Sequence, residues 1–368
     1  MDWYSFLARP RLPSPAAESL QSLHHASIFV TGAGGSIGRA LSLRLAALEP
    51  RELVLLDASE QALFRLQSEL KASGIKTMPA ILLGSASNAA EIEEAFATHQ
   101  PSLVFHAAAY KHVALLEEQS FAAIENNALG THTLIEAAHR HRVARVVLLS
   151  TDKAVEPVSI LGATKRIAEE ITLARNGVVV RLANVLGTEG SVVDVFLRQI
   201  LAGQAITIRH RDSERYFLTL EEAVDLLLAA AVDAAPGALL IPRLNRAHSI
   251  LALADFLVSH CSDMRPTILT SILFDSLCPG EKVSEALLSA DEAGGCDIAA
   301  DAGGAFLSLA SPDTRASLSM EIARLRNAVD ERDLATALEI VQSMVPSYIP
   351  SSIVRSLAEK RSARTLHS

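Results

Sequence analysis

The chain has 368 residues, 49% of them apolar and only 4% aromatic, with a formal net charge of -9. That length exceeds a typical domain and implies one large α/β unit with a smaller one attached, while the scarcity of aromatics disfavours a β-sandwich. The acidic balance, without any long Lys/Arg run, excludes a nucleic-acid partner and leaves an anionic small substrate to be met by local arginines.

Residues 1–26 are punctuated by proline and weakly patterned. Asp2, Arg9 and Arg11 interrupt the apolar residues, so the segment reads as a lead-in arm and not as a signal peptide. From Ser27 the pattern alternates. Ile28–Val30, Leu53–Leu56, Thr77–Leu83, Leu103–Phe105, Val143–Leu149 and Val178–Leu182 read as strands. Helices are predicted between them over Ser36–Leu48, Glu60–Ala72, Ala89–Thr98, Ala122–His141 and Leu161–Ala174. Such alternation makes right-handed βαβ units and an α/β fold with a doubly wound parallel sheet. Isolated helices follow over Val192–Leu201, Leu220–Val232 and Leu251–Cys261, with short strands over Ala205–Ile208, Ala238–Ile241 and Ile268–Leu273. Residues 291–312, rich in Ala, Gly and Asp, read as a loop, and Asp313–Glu359 as a helical tail. The most apolar window, Val224–Pro242, is broken by Asp233 and Pro236, so no integral membrane segment is expected. Cys261, Cys278 and Cys296 are too widely spaced for a disulfide framework or zinc, which fits a soluble, cytoplasmic protein without a metal site. His132, His139 and His141 share a predicted helix without metal spacing and read as surface residues.

Thr31-Gly32-Ala33-Gly34-Gly35-Ser36-Ile37-Gly38 follows the first strand and opens a helix. Glycines at 32, 35 and 38 let the backbone turn tightly and a pyrophosphate approach the amides of Ser36, Ile37 and Gly38. Asp57 ends the next strand, where a carboxylate accepts from the adenosine ribose, and Ala58 and Ser59 supply no arginine for a 2′-phosphate. NAD is therefore favoured, with NADP not excluded. Gly34-Gly35-Ser36-Ile37-Gly38 also matches a nucleophile elbow, but Gly32 is superfluous to that motif, which further needs a downstream acid and His. A P-loop is excluded because Arg39-Ala40 follows the last glycine. The bland alternative is a structural glycine turn without ligand. These features divide the chain into the arm (1–26), a Rossmann-type nucleotide-binding domain (27–183, its core reaching about residue 245 through interleaved segments), a smaller substrate-binding region (184–312) and the helical tail (313–368).

Beyond this turn the sequence resembles the CapD-like polysaccharide biosynthesis family of extended short-chain dehydrogenases, which includes UDP-N-acetylglucosamine 4,6-dehydratases. The resemblance spans about Phe6 to Ser351. It is carried by His106-Ala107-Ala108-Ala109-Tyr110-Lys111-His112, Asn126-Asn127, Ser150-Thr151-Asp152-Lys153, Gly162-Ala163-Thr164-Lys165, Asn184-Val185-Leu186-Gly187, Glu214-Arg215-Tyr216-Phe217 and Pro279-Gly280-Glu281-Lys282. Ala8-Arg9-Pro10 and Val345-Pro346-Ser347-Tyr348 resemble the flanks of the long, membrane-anchored members. The resemblance implies a cycle in which hydride leaves sugar C4, the C5 proton and the C6 hydroxyl are lost as water, and hydride returns at C6. Asp152 and Lys153 are then the acid and base, Thr151 binds the C4 oxygen, and Lys165 holds the nicotinamide ribose. Ala107, Ala108 and Ala109 line the cofactor. Lys111, His112, Asn184, Arg198, Arg215 and Glu281 face a UDP-sugar, with Arg215 as the main diphosphate anchor. Taken alone, Thr151-Asp152-Lys153 is also ordinary strand-end turn chemistry, and Lys165 an ordinary surface lysine. A homo-oligomer is expected.

Three positions depart from the family pattern. Leu161 stands where dehydrogenases of this type place a tyrosine base, and Leu cannot move a proton. Cys278 replaces an arginine before Pro-Gly-Glu-Lys. Leu83-Gly84-Ser85-Ala86 lacks the acid that often meets adenine. Three functions follow: an active 4,6-dehydratase, an NAD-dependent UDP-sugar epimerase or oxidase, or a catalytically silent nucleotide-binding homologue.

Overall fold

Eight strands form the central sheet: β1 (Ser27–Thr31), β2 (Glu52–Asp57), β3 (Ala80–Leu83), β4 (Leu103–His106), β5 (Arg145–Thr151), β6 (Val178–Leu182), β7 (Ala238–Pro242) and β8 (Phe306–Ala310). They come from a computed structural model that describes residues 1–264, 271–294, 306–310 and 315–365. Their order is β8-β7-β6-β5-β4-β1-β2-β3, and β8 alone runs antiparallel to its neighbour. Runs such as Ile28-Phe29-Val30 and Val178-Val179-Val180 suit this place because β-branched and aromatic side chains pack well on both faces of a covered sheet. Alternation divides them. Ile28 and Val30 join Leu41 and Leu45 of α1 (Ser36–Ala47) in one core, while Phe29 joins Phe96, Ile135 and Ile167 in the other. The order reverses between β1 and β4, which opens a crevice at their carboxyl ends, where open α/β sheets bind ligands.

The sequence expectations need five corrections. The 291–312 segment is not all loop: its Phe-Leu-Ser-Leu-Ala stretch adds β8 in register with Ala238–Pro242. Ala122–His141 is not one helix. A wide π-type turn at Ile124–Leu129 separates a short helix from α2 (Gly130–Arg140) and lets Asn127 Oδ1 accept from Tyr110 N while its Nδ2 donates to Tyr110 O. The third strand begins at Ala80 and the fifth runs Arg145–Thr151. The strand read over Ile268–Leu273 is observed at Ile272–Phe274, its first residues lying outside the described ones.

A smaller lobe has its own core, in which Leu186, Phe196, Ile206, Phe217 and Leu253 pack together with Leu7 of the arm. The arm is thus part of the body: Arg9 grips buried Glu222 through two hydrogen bonds at 2.6 and 2.8 Å. Helices in the tail cover the second face of the sheet with Ile322, Leu325, Val341 and Val354. Among the described residues no helix is long and apolar enough to cross a membrane.

Candidate active site

The turn after β1 is built by close approach. Gly32 has φ +66°, and a Cβ there would come within 2.6 Å of Ala108 N. A Cβ at Gly38 would lie 2.0 Å from Gly32 O, and one at Gly34 would lie 2.5 Å from Ala62 Cβ. The steric demand therefore falls on Gly32, Gly34 and Gly38. At Gly35 a Cβ would meet only Gly32 O, at 3.4 Å, so protein packing leaves that position open. Helix α1 starts at Ser36 with no side-chain cap, so its first-turn amides have no side-chain partner and could meet an anion. Asp57 is fixed beside them: Gly34 N and Ser59 N each donate to its carboxylate at 2.9 Å. Ala107 N and Ala108 N donate to Thr31 O and Oγ1, which holds the segment after β4 against the turn. Beneath lies His106, between Thr31 Oγ1 at 2.7 Å and Thr131 Oγ1 at 3.0 Å. Burial pulls His106 down to about 3, so the ring is neutral and serves as a brace.

At the carboxyl end of β5 the chain enters a short turn, Asp152–Ala154. Asp152 is only 1% exposed, and its carboxylate accepts from Thr151 Oγ1 at 2.9 Å, Lys153 Nζ at 2.9 Å and Asn184 Nδ2 at 3.0 Å. Burial acts to lower Lys153, but Asp152 and Glu285 overcome it and leave the group above the ordinary lysine value. The resting pair is therefore ammonium and carboxylate. On helix α3 (Ile160–Ala174), capped by Ser159 Oγ accepting from Gly162 N, Lys165 Nζ donates to Leu149 O at 2.7 Å. Burial lowers Lys165 to about 8. Leu161, one turn earlier, is 3% exposed and packs in the second core. Thr151, Asp152, Lys153 and Asn184 thus meet in one cluster near the turn that can cradle a dinucleotide.

A sequence model of the family described as polysaccharide biosynthesis protein matches residues 28–299. The chain belongs to this family. Capsular polysaccharide biosynthesis protein CapD of Staphylococcus aureus is 36% identical over 280 residues, which cover 74% of this chain and 46% of that protein. The chain spans about half the length of this relative and of the probable polysaccharide biosynthesis protein EpsC of Bacillus subtilis. Among solved structures, Pen from Bacillus thuringiensis superposes with TM-score 0.72 at 27% identity, covering 79% of this chain and 89% of that one. DesIV, a dTDP-glucose 4,6-dehydratase from Streptomyces venezuelae with NAD and TYD bound, has TM-score 0.62 at 18% identity over 72% of this chain and 89% of that one, a likeness of fold.

Other expected site residues of this polysaccharide biosynthesis family member are engaged in contacts within the protein. Lys111 Nζ donates to Glu189 O at 2.6 Å, and the His112 ring packs against Gly190. Glu189 N donates to Ser36 Oγ at 3.0 Å and its carboxylate accepts from Arg65 at 2.8 Å. The loop 187–191, with positive φ at Gly187 and Gly190, is thereby strapped to the glycine turn. Arg215 donates to the backbone carbonyls of Glu214, Lys282 and Val283, so it shapes the Pro-Gly-Glu-Lys segment. Glu281 closes the same turn by accepting from Cys278 N at 2.9 Å. Arg198 is 68% exposed and pairs with Asp194. Two participants, Glu189 and Glu285, went unnoticed in the sequence, and Gly34 was given no steric role there. Gly34 was visible in the glycine string itself, whereas Glu189 and Glu285 lie in loops whose placement only the tertiary fold decides.

Proposed function

We propose that the chain is a nucleotide-sugar 4,6-dehydratase that uses NAD and acts on UDP-N-acetylglucosamine or a similar UDP-sugar in surface polysaccharide synthesis. The observation that carries this reading is the cluster of Thr151, Lys153 and Asn184 around buried Asp152, at the carboxyl edge of the sheet. The dinucleotide fits the residues present: Gly32, Gly34 and Gly38 make a cradle that a Cβ would fill, and α1 offers uncapped amides. Asp57 suits a ribose diol and repels a 2′-phosphate, which favours NAD. When bound, the nicotinamide supplies an acceptor and later a donor of hydride.

The residues handle the protons. Transfer of one proton from Lys153 Nζ to Asp152 Oδ1, across 2.9 Å, turns the pair into an amine and a carboxylic acid. The amine removes the C5 proton and the acid protonates the departing C6 hydroxyl. Thr151 Oγ1, hydrogen-bonded to Asp152, binds the C4 oxygen in the place that Leu161 cannot fill, and the C4 hydroxyl proton leaves to solvent water, from which Lys153 is reprotonated at the end of the cycle. Lys165 binds the nicotinamide ribose. Incubation with UDP-N-acetylglucosamine and NAD should yield a nucleotide sugar lighter by one water, about 18 Da, and Lys153→Ala should abolish it. Product formation by Lys153→Ala at the unchanged rate would refute the assignment. Leu161 and Cys278 favour one rival, a silent nucleotide-binding homologue. It predicts dinucleotide released on denaturation with no product from any UDP-sugar.

A further inference from the structure

Lys153 has a second carboxylate beside it, delivered from a distant segment. Glu285 Oε1 lies 3.8 Å from Lys153 Nζ, and the Glu285 side chain is 4% exposed. Its Oε2 is buried without a hydrogen bond and lies 3.4 Å from Lys282 Nζ, which itself donates to Val155 O at 2.7 Å. The segment that carries Glu285 is held firmly. Arg215 donates to Lys282 O and Val283 O, and Glu214 N donates to Val283 O at 3.1 Å. Asp152 differs in kind, since three donors satisfy its carboxylate, whereas Glu285 contributes a charge with little else to do.

We propose that Glu285 is a positioning residue that acts through Lys153: its carboxylate keeps Lys153 an ammonium in the resting protein and so sets the cost of passing that proton to Asp152. The inference deepens the reading of the Asp152–Lys153 pair given above and takes its consequence from it. In the step concerned an N–H bond of Lys153 breaks, an O–H bond forms on Asp152, and the charge of the pair is conserved without any oxidant or co-reactant. A carboxylate 3.8 Å from the nitrogen favours the charged side of that equilibrium. The groups that face Lys153 are Asp152 and Glu285, which hold its proton, and Arg215, which opposes them, while Lys282 faces Glu285 and offsets part of its charge.

The test is an NMR titration of the full chain labelled at the lysine ε-carbon, with Lys153→Arg assigning the signal. Glu285→Gln is expected to lower the Lys153 midpoint by about one pH unit or more, and Glu285→Asp to restore most of the difference. Lys282→Gln, which removes a cation from the neighbourhood, is expected to move the midpoint upward. An unchanged midpoint in Glu285→Gln overturns the inference. Should that variant fail to fold, an unchanged midpoint in Lys282→Gln does so instead. Because the titration needs no substrate, it stands or falls separately from the dehydratase reading, which the product assay decides.

Discussion

Lys165 links burial to stability. Its folded value of about 8 lies below the ordinary 10.5, so between those values the unfolded chain binds more protons than the folded one. Stability from this group therefore rises with pH across that window, and below about pH 8 the folded state carries the whole desolvation cost. Urea titrations on either side of pH 8 should show the rise in the wild type and lose it in Lys165→Met. The glycine turn offers a second contrast. Gly34→Ala drives a methyl against Ala62 at 2.5 Å and is expected to cost about 1–3 kcal/mol of stability. Gly35→Ala, with only a 3.4 Å contact, should leave the urea midpoint nearly unchanged yet weaken dinucleotide binding by calorimetry, since its space is left for the ligand. The glycine spacing was legible in the sequence, but which glycines the protein itself requires was not, because Ala62 and Ala108 reach them only through the fold.

The elements around the site are locked by an ionic network that no local pattern announces. Arg181 in β6 is fully buried and donates to both oxygens of Glu169, at 3.1 and 2.7 Å, and to Glu292. Ser150, directly before Thr151, donates to Glu169 at 2.6 Å. The network therefore ties the end of β5 to α3, which carries Lys165, and to the short helix Ala290–Gly294. Arg181→Met leaves Glu169 buried with its main partner gone and is expected to cost ~3–5 kcal/mol by urea denaturation. Adding Glu169→Gln should return part of that loss. In sequence, Arg181 sits inside Val178–Leu182, a strand recognised by its apolar neighbours, so the strand reading held while the charge in it stayed unexplained. Strand β8 escaped notice for the opposite reason: Ala, Gly and Asp around it outweigh five residues of strand character, and pairing with Ala238–Pro242 decides its state.

On the scale of the whole molecule, the arm ties the smaller lobe to the sheet domain and the tail covers the sheet's second face. Arg9 is one such tie, gripping Glu222, which also forms a capping box with Thr219 at the start of Leu220–Asp233. Arg9→Ala should lower stability by roughly 2–3 kcal/mol, the scale of a charge-assisted hydrogen-bonded pair, as read by urea denaturation. The alternation of strands and helices, legible from Ser27 to Leu182, follows from local hydrophobic periodicity. The meeting of Lys153 with Glu285, and of Ser36 with Glu189, depends on how separate lobes close on the crevice, which no local period encodes. The central claim is that Asp152 and Lys153 move the C5 proton and expel the C6 hydroxyl. It is tested most directly by running the reaction with UDP-N-acetylglucosamine and NAD in deuterium oxide and weighing the product. The account predicts loss of one water together with one deuterium at C5, both absent in Lys153→Ala. Deuterium at C5 without loss of water, or the same product from Lys153→Ala, would contradict it.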